Sequence, residues 1–350
     1  GKLGLALLDL STGLFRAEPA DNATALCDSL RRAAPAECVV PAGQEADPDI
    51  RAAVAAVPQT HVTQCEDWTF DYDSARDLLV RHFGVHSLEG FGCEGRAEAV
   101  CPAGGVLHYV KESLRRQVSH VRTFNVVQAV DSLVLDEATC NNLDLVKPRA
   151  GTGRDAGLLD VLDVTRTAMG ARLMRDWLLR PPAVLERIVE RHDAVEVFCG
   201  NRSLLNGIRE SFIEVRDIER LVARIGSGSG NARDVLAIGQ SLHALPAIRQ
   251  LAGQHPSPLV CRLTSGIVPQ PELVDLVGRA IAEEPPLTIK EGGIIRNGYH
   301  TELDALRNAA SEGRKWLAGY QASEQARTGI KSLKVRHNRV FGFYLEVPRG

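Results

Sequence analysis

Basic side chains are concentrated near the end of the chain. Lys331, Lys334, Arg336 and Arg339 lie close together, with His337 among them. Lysine and arginine neutralise nucleic-acid phosphates, and such contacts are sensitive to salt and independent of base sequence. These four cations are therefore the candidate DNA-binding residues. The residues alone leave open an alternative, the ordinary solvated face of a strand.

A carboxylate near the start of the chain suggests a second kind of chemistry. Asp9 ends an apolar run and precedes Ser11 and Thr12, an arrangement similar to that of RNase-H-like nucleases and sugar kinases. Those enzymes need further carboxylates that converge on a divalent cation. Asp131 and Asp136 are available but lie near a predicted domain junction. A structural role for Asp9 is preferred, and an RNase-H-like metal-dependent nuclease with a helical arm is kept as the alternative function.

Nucleotide-binding and metal-binding motifs are incomplete. A phosphate-binding loop requires Gly-x-x-x-x-Gly-Lys-Ser/Thr after a strand, and the glycine-rich segments 151–153 and 226–230 lack the Gly-Lys-Ser/Thr ending. His82 and His86 have the spacing of a helical metal pair, but Gly84 interrupts the helix that the pair would need. The sequence therefore predicts no catalytic residue, no metal site and no cofactor site on this chain.

The elements that must position these residues fall into two parts, of which the first is α/β. Apolar residues 3–8, a Ser-Thr-Gly turn and residues 14–16 predict a hairpin. Residues 22–34 have the apolar spacing of a helix, and 38–40 predict a strand. Together they predict a small mixed sheet with helices packed on it. Further helices are predicted at 73–83 and at about 97–117.

The second part is helical from about residue 131 to 328. Its most regular segment, 301–328, alternates apolar spacings of three and four and predicts one helix of roughly 40 Å at about 1.5 Å per residue. The period then changes to two, so 333–336 and 340–347 predict a β-hairpin that carries the basic residues. Trp177 and Trp316 are interpreted as core residues. The seam of the long helix consists of Leu303, Leu306, Ala310, Gly313, Leu317 and Tyr320.

Composition limits the class of protein. With 350 residues the chain is too long for one compact core, and 44% hydrophobic residues are ordinary for a globular protein. No apolar run reaches the roughly 18 residues of a membrane span. A net charge of −3 means that any DNA contact needs a local basic patch. Eight cysteines without a Cys-x-x-Cys pair predict buried, reduced thiols and a cytoplasmic protein.

One long segment resembles a known protein family. Residues 158–178 read LLDVLDVTRTAMGARLMRDWL, and Pro181, Ile188 and Arg191 continue the match. This segment resembles the lever-domain signature of MutS, a family of DNA mismatch-recognition proteins. The chain departs from the family pattern in two places. Arg336 and His337 stand where the family usually has glycine and an aromatic residue. The segment 226–230 is unusually rich in glycine, which predicts a looser joint between the helices on either side of it. Matches in the same order cover residues 9–15, 91–110, 135–145, 217–225, 298–304 and 328–347.

The resemblance implies both a fold and a function. The implied fold class is α/β plus all-α, with a small RNase-H-like connector at 1–128, a helical lever or core domain at 129–329 and the start of a clamp at 330–350. Family members join a mismatch-recognising region to a P-loop ATPase that uses ATP and Mg. The resemblance implies that this chain is an internal, non-enzymatic link between them. The implied partners are mismatched double-stranded DNA, a MutL-type protein at the connector and a second copy in the full-length protein.

Overall fold

A β-hairpin opens the structure, a computed structural model that describes residues 3–44, 46–127, 131–148, 156–255, 257–338, 340 and 342–347. β1 (Leu3–Asp9) runs antiparallel to β2 (Leu14–Ala20). The turn closes where Gly13 N donates to Asp9 O at 2.8 Å, and Gly13 has a φ of 77° that favours glycine. The predicted hairpin is confirmed.

The other strands of the first part form two separate sheets. β5 (Asn125–Val126) lies parallel to β2, giving a mixed sheet of order β1-β2-β5. β3 (Glu37–Pro41) pairs along its whole length with β4 (His61–Cys65) in a second, parallel sheet, so the prediction that β3 joins the sheet of the hairpin is wrong. The crossover that parallel strands require contains α2 (Pro48–Ala55). The remaining elements are α1 (Ala23–Ala33), α3 (Tyr72–Phe83) and α4 (Ala97–His108).

Helix α4 lies at the centre of the α/β core. Its buried residues include Val100, Ala103 and Leu107, and a methyl group at Gly104 would overlap Ala75 of α3. The helix ends earlier than the predicted residue 117. A π turn at Tyr109–Ser113 follows it, and Arg115 then has a left-handed φ of 49° that cannot continue a right-handed helix.

The second part is helical, as predicted. Its core joins four helices, α8 (Leu185–Gly200), α9 (Arg202–Ser211), α11 (Ala232–Ala252) and α12 (Pro258–Ser265). The buried residues that join them are Ala194, Leu204, Ile208, Ala252 and Val260. Trp177 lies outside this core, since 40% of its surface is exposed, and the prediction that it is a core residue is wrong. The other helices are α5 (Glu137–Asn142), α6 (Leu158–Leu162), α7 (Ala168–Leu179), α10 (Ile218–Gly226), α13 (Pro271–Ala280) and α14 (Thr301–Thr328).

Helix α14 is continuous for 28 residues and ends at Gly329, which has a φ of 73°. The predicted long helix is therefore confirmed. None of its residues is buried. Trp316 is 66% exposed and stacks on Tyr320 with 5.4 Å between ring centroids, so the prediction that Trp316 is a core residue is wrong. The terminal hairpin consists of β6 (Lys334–Asn338) and β7 (Gly342–Glu346).

The cysteines differ in burial. All eight are free thiols, and burial raises the pKa of Cys93 to about 11. Cys199 and Cys261 are exposed at the surface of the helical part, so the prediction of burial is wrong for these two. Within the ranges that the structure describes, no helix combines the length and apolar character needed to cross a bilayer.

Candidate nucleic-acid interface

The terminal hairpin is attached to the last turns of α14. Gln325 Nε2 donates to Leu333 O at 2.8 Å and to Lys331 O at 3.2 Å. Val335 N donates to Gln321 Oε1 at 2.9 Å. Leu333 itself is 3% exposed. These contacts set the direction in which the hairpin leaves the helix.

The two faces of this hairpin differ in chemistry. Lys334 and Arg336 are two residues apart in β6 and share one face, because side chains alternate along a strand. His337 points to the other face, where its ring lies 4.8 Å from that of Phe343. Phe343 is 63% exposed. The hairpin therefore has one charged and one apolar face.

The candidate cations differ in their exposure and in their ion pairs. Lys331 is exposed in the turn before β6, and Lys334 is exposed on the charged face. Arg336 pairs with Glu346 at 2.6 Å, which neutralises part of its charge. Arg339 lies outside the described residues. Lys331 and Lys334 are thus the most available cations of the set.

The carboxylates considered for metal chemistry have local structural roles. Asp9 Oδ1 accepts hydrogen bonds from Ser11 N and Ser11 Oγ, both at 2.8 Å. Burial alone would raise the pKa of Asp9, but these hydrogen bonds hold it below its ordinary value. Asp136 caps α5 by accepting from Thr139 N at 2.7 Å, and Asp131 lies 3.6 Å from Arg187. Among the described residues, no group of three or more His, Cys, Asp or Glu side chains is placed to hold a metal ion.

The predicted end of the helix between His82 and His86 is confirmed. α3 ends at Phe83, and Gly84 caps it with a φ of 65°. His82 places Nε2 2.8 Å from Val121 O, whereas His86 lies beyond the helix and is exposed. The glycine-rich segment 151–153 lies outside the described residues.

A buried ion network joins the two parts of the chain. Glu18 Oε1 in β2 lies 3.0 Å from Arg16 and 2.6 Å from Arg180. Asp176 of α7 contacts the same two arginines at 3.3 and 2.6 Å. The Glu18 side chain is 8% exposed, and those of Arg16 and Arg180 are 12% and 13% exposed. Burial lowers the pKa of Arg16, and the charge of Arg180 acts in the same direction.

A second contact joins the parts at the glycine-rich turn after α10. Ser119 Oγ donates to Gly226 O at 2.9 Å, and a methyl group at Gly226 would stand 2.9 Å from His120 Cβ. Within the turn, Ser229 N and Gly230 N donate to Arg224 O at 3.0 and 2.8 Å. These bonds close the turn, and Ser119 and His120 of the α/β part contact it, so the structure does not show the looser joint that the glycines predict.

Sequence reasoning missed the ion network. Its members do have a signal, since Arg16 and Glu18 share a strand face and Asp176 and Arg180 are four apart on a helix. Each pair alone is also expected on a solvated surface. Only the packing of β2 against α7 shows that the pairs meet.

Two family models match this chain. One, described as MutS domain II, matches residues 1–122, and the other, described as MutS domain III, matches residues 138–340. This chain belongs to the MutS family. Glu18 and Arg180 thus connect two regions that match different MutS domains.

Curated relatives agree with this assignment. Proteins described as DNA mismatch repair protein MutS are 40% identical in Symbiobacterium thermophilum, 37% in Methanococcoides burtonii and 40% in Myxococcus xanthus. These matches cover 99–100% of this chain but only 39–40% of each relative. The chain therefore spans about two fifths of the length of these MutS relatives.

Proposed function

We propose that this chain is the linking part of a DNA mismatch-repair protein. Its connector would be residues 1–128, its lever or core domain 129–329, and its clamp would begin at 330–350. The observation that carries this proposal is the unbroken α14, with a hairpin attached to its last turns. A continuous helix of 28 residues spans about 40 Å, so such a rod would carry a displacement from one of its ends to the other.

The connector would have an RNase-H-like fold without the chemistry of that fold. The mixed sheet and the helices packed on it support this proposal. Asp9 would stabilise the hairpin turn, because Ser11 occupies its carboxylate. ATP and Mg would bind to an ATPase of the full-length protein. A MutL-type partner would dock on the connector. The full-length protein would form a homodimer, and it would act in the cytoplasm.

The basic residues of the clamp base would contact DNA phosphates. Lys331 and Lys334 are exposed and Arg336 shares the face of Lys334, while Arg339 continues the basic run. Phosphate contacts carry no base information. We therefore expect weak duplex binding by this chain without preference for a mismatch.

Fluorescence anisotropy with a G·T duplex and a fully paired duplex tests this function. We expect equal affinities for the two and a loss of affinity in K331Q/K334Q, with the slope of log K against log salt falling by about 2. The matched control is R202Q/R249Q, which removes two exposed charges elsewhere. Strong discrimination of the G·T duplex, or an equal effect in the control, would contradict the proposal.

The nuclease alternative has its own test. We expect no cleavage of duplex or single strands by the pure chain with Mg²⁺ or Mn²⁺. Asp9→Asn is the matched variant, because it keeps the shape of the side chain. Metal-dependent cleavage that disappears in this variant would favour the nuclease.

A further inference from the structure

A cavity of about 850 Å³ lies beside the end of α3, and none of its described lining residues belongs to the terminal hairpin. Four cations line it, namely Lys111, Arg115, Arg116 and Arg122. Among its described lining residues, Glu112 is the only acid. Burial lowers the pKa of His82, another lining residue; the hydrogen bond to Val121 O opposes this shift, and the charge of Lys111 adds to it. The walls therefore carry a strong positive excess.

These cations have few partners among the residues that the structure describes. Within the described part of the chain, none of the four forms an ion pair with a carboxylate. Arg122 donates only to a backbone oxygen, Ser119 O, at 3.4 Å. The partly buried Arg16, Arg76 and Arg172 differ, because each is paired with a carboxylate.

The segment that carries the cations is held in place. Val118 and Val121 are 4% and 2% exposed. Arg116 N donates to Val110 O at 3.0 Å, and Arg115 has a left-handed φ that non-glycine residues seldom adopt. Unusual backbone conformations persist where surrounding contacts enforce them, and they concentrate at functional sites.

We propose that this cavity binds the phosphodiester backbone of DNA, as a second contact separate from the clamp base. Unpaired arginine and lysine side chains match several phosphate oxygens at once. Phe83, the only phenylalanine of the described lining, packs its ring against Phe91 and Phe124 at 4.9 and 6.3 Å, so that ring is engaged in the core. The contact is therefore to the backbone and independent of sequence. It extends the proposed DNA-binding function and rests on it.

Duplex binding by the whole chain tests this site. The variant is R115N/R116Q, in which asparagine tolerates the left-handed backbone at 115. Affinity should fall about tenfold at low salt, with a salt slope smaller by about 2, whereas R202Q/R249Q should retain the parent values. Thermal unfolding followed by circular dichroism checks that both variants are folded. An affinity and slope equal to those of the control would overturn the proposal.

A gain of binding provides a readout that misfolding does not produce. Glu112→Gln removes the one acid of the described lining and should tighten duplex binding about threefold, since a repulsion for phosphate is lost. Unchanged or weaker binding would count against the site.

ATP and inorganic tripolyphosphate are the competing probes. If either one saturates the site at micromolar concentration without displacing DNA, the ligand of the cavity is a small phosphate compound and the DNA proposal is overturned. If K331Q/K334Q and R115N/R116Q both leave binding unchanged, the proposed function fails. If only R115N/R116Q leaves binding unchanged, the cavity proposal fails and the proposed function stands.

Discussion

Glu18 in β2 and Arg180 at the end of α7 form a 2.6 Å ion pair between residues that are 162 positions apart in sequence. Both side chains are nearly enclosed, at 8% and 13% exposure. A buried charge remains stable only when a partner and hydrogen bonds replace the lost water. The pair therefore depends on the docking of β2 against α7, and it responds to any change in that docking.

Replacing Glu18 with glutamine should destabilise the chain by about 3 kcal/mol, because Arg16 and Arg180 would then share only the half-exposed Asp176. Urea unfolding measures the loss. Glu137→Gln is the matched control, since it removes the exposed pair of Glu137 with Arg31 and should cost less than about 1 kcal/mol. Equal losses in the two variants would show that burial of the network is unimportant.

The ion pair between Asp217 and Arg172 should make stability depend on pH. Hydrogen bonds from Arg172 at 2.7 and 2.8 Å hold the pKa of Asp217 below its ordinary value of 3.8. Because the folded pKa is lower than the unfolded one, the stabilisation is fully present above the unfolded value and is lost as pH falls through the folded value.

Asp217→Asn, which keeps a side-chain oxygen for the N-terminus of α10, isolates this charge. The difference in unfolding free energy from the parent should be large near pH 6 and should shrink toward pH 3. Asp193→Asn, at an exposed position, should show almost no difference at either pH. A gap that stays constant between the two pH values would refute the assignment.

Close packing at Gly104 should reverse the usual effect of alanine in a helix. Gly104→Ala should destabilise the chain by about 2 kcal/mol, because the added methyl group would overlap Ala75. Gly319→Ala in α14 meets open space and should stabilise the chain by roughly 0.5–1 kcal/mol. Thermal or urea unfolding of the two variants checks the opposite signs. If both substitutions stabilise the chain, α3 and α4 do not pack closely at Gly104.

Release of Arg336 should strengthen the proposed DNA contact at the clamp base. Glu346→Gln removes the carboxylate that pairs with Arg336 at 2.6 Å, so duplex binding should tighten about threefold and the salt slope should rise by about 1. Glu272→Gln, an exposed change on α13, is the control and should leave both unchanged. Weaker binding in Glu346→Gln would indicate that the pair holds Arg336 in its binding position.

Local periodicity predicted the elements that depend on near neighbours. The spacing of apolar residues in 301–328 predicted a single helix, and Gly84 correctly marked the end of α3. The failures concern surroundings that no local pattern contains. Trp316 is a large apolar residue next to the seam residue Leu317, yet 66% of its surface is exposed. β3 has the composition of a sheet strand, but its partner is β4 instead of the hairpin.

Residue types and spacing alone predicted the order of an α/β part before a helical part, the long α14 and the basic hairpin, because each rests on contacts between residues close in sequence. The MutS family was indicated separately, by the resemblance of residues 158–178 and of the ordered matches around them. Only the folded chain decides that Glu18 meets Arg180, that Ser119 covers Gly226 and that the cations of 111–122 surround one cavity. Those arrangements depend on which surfaces pack together, and packing is decided jointly by residues far apart in sequence, more than a hundred positions in the first two cases.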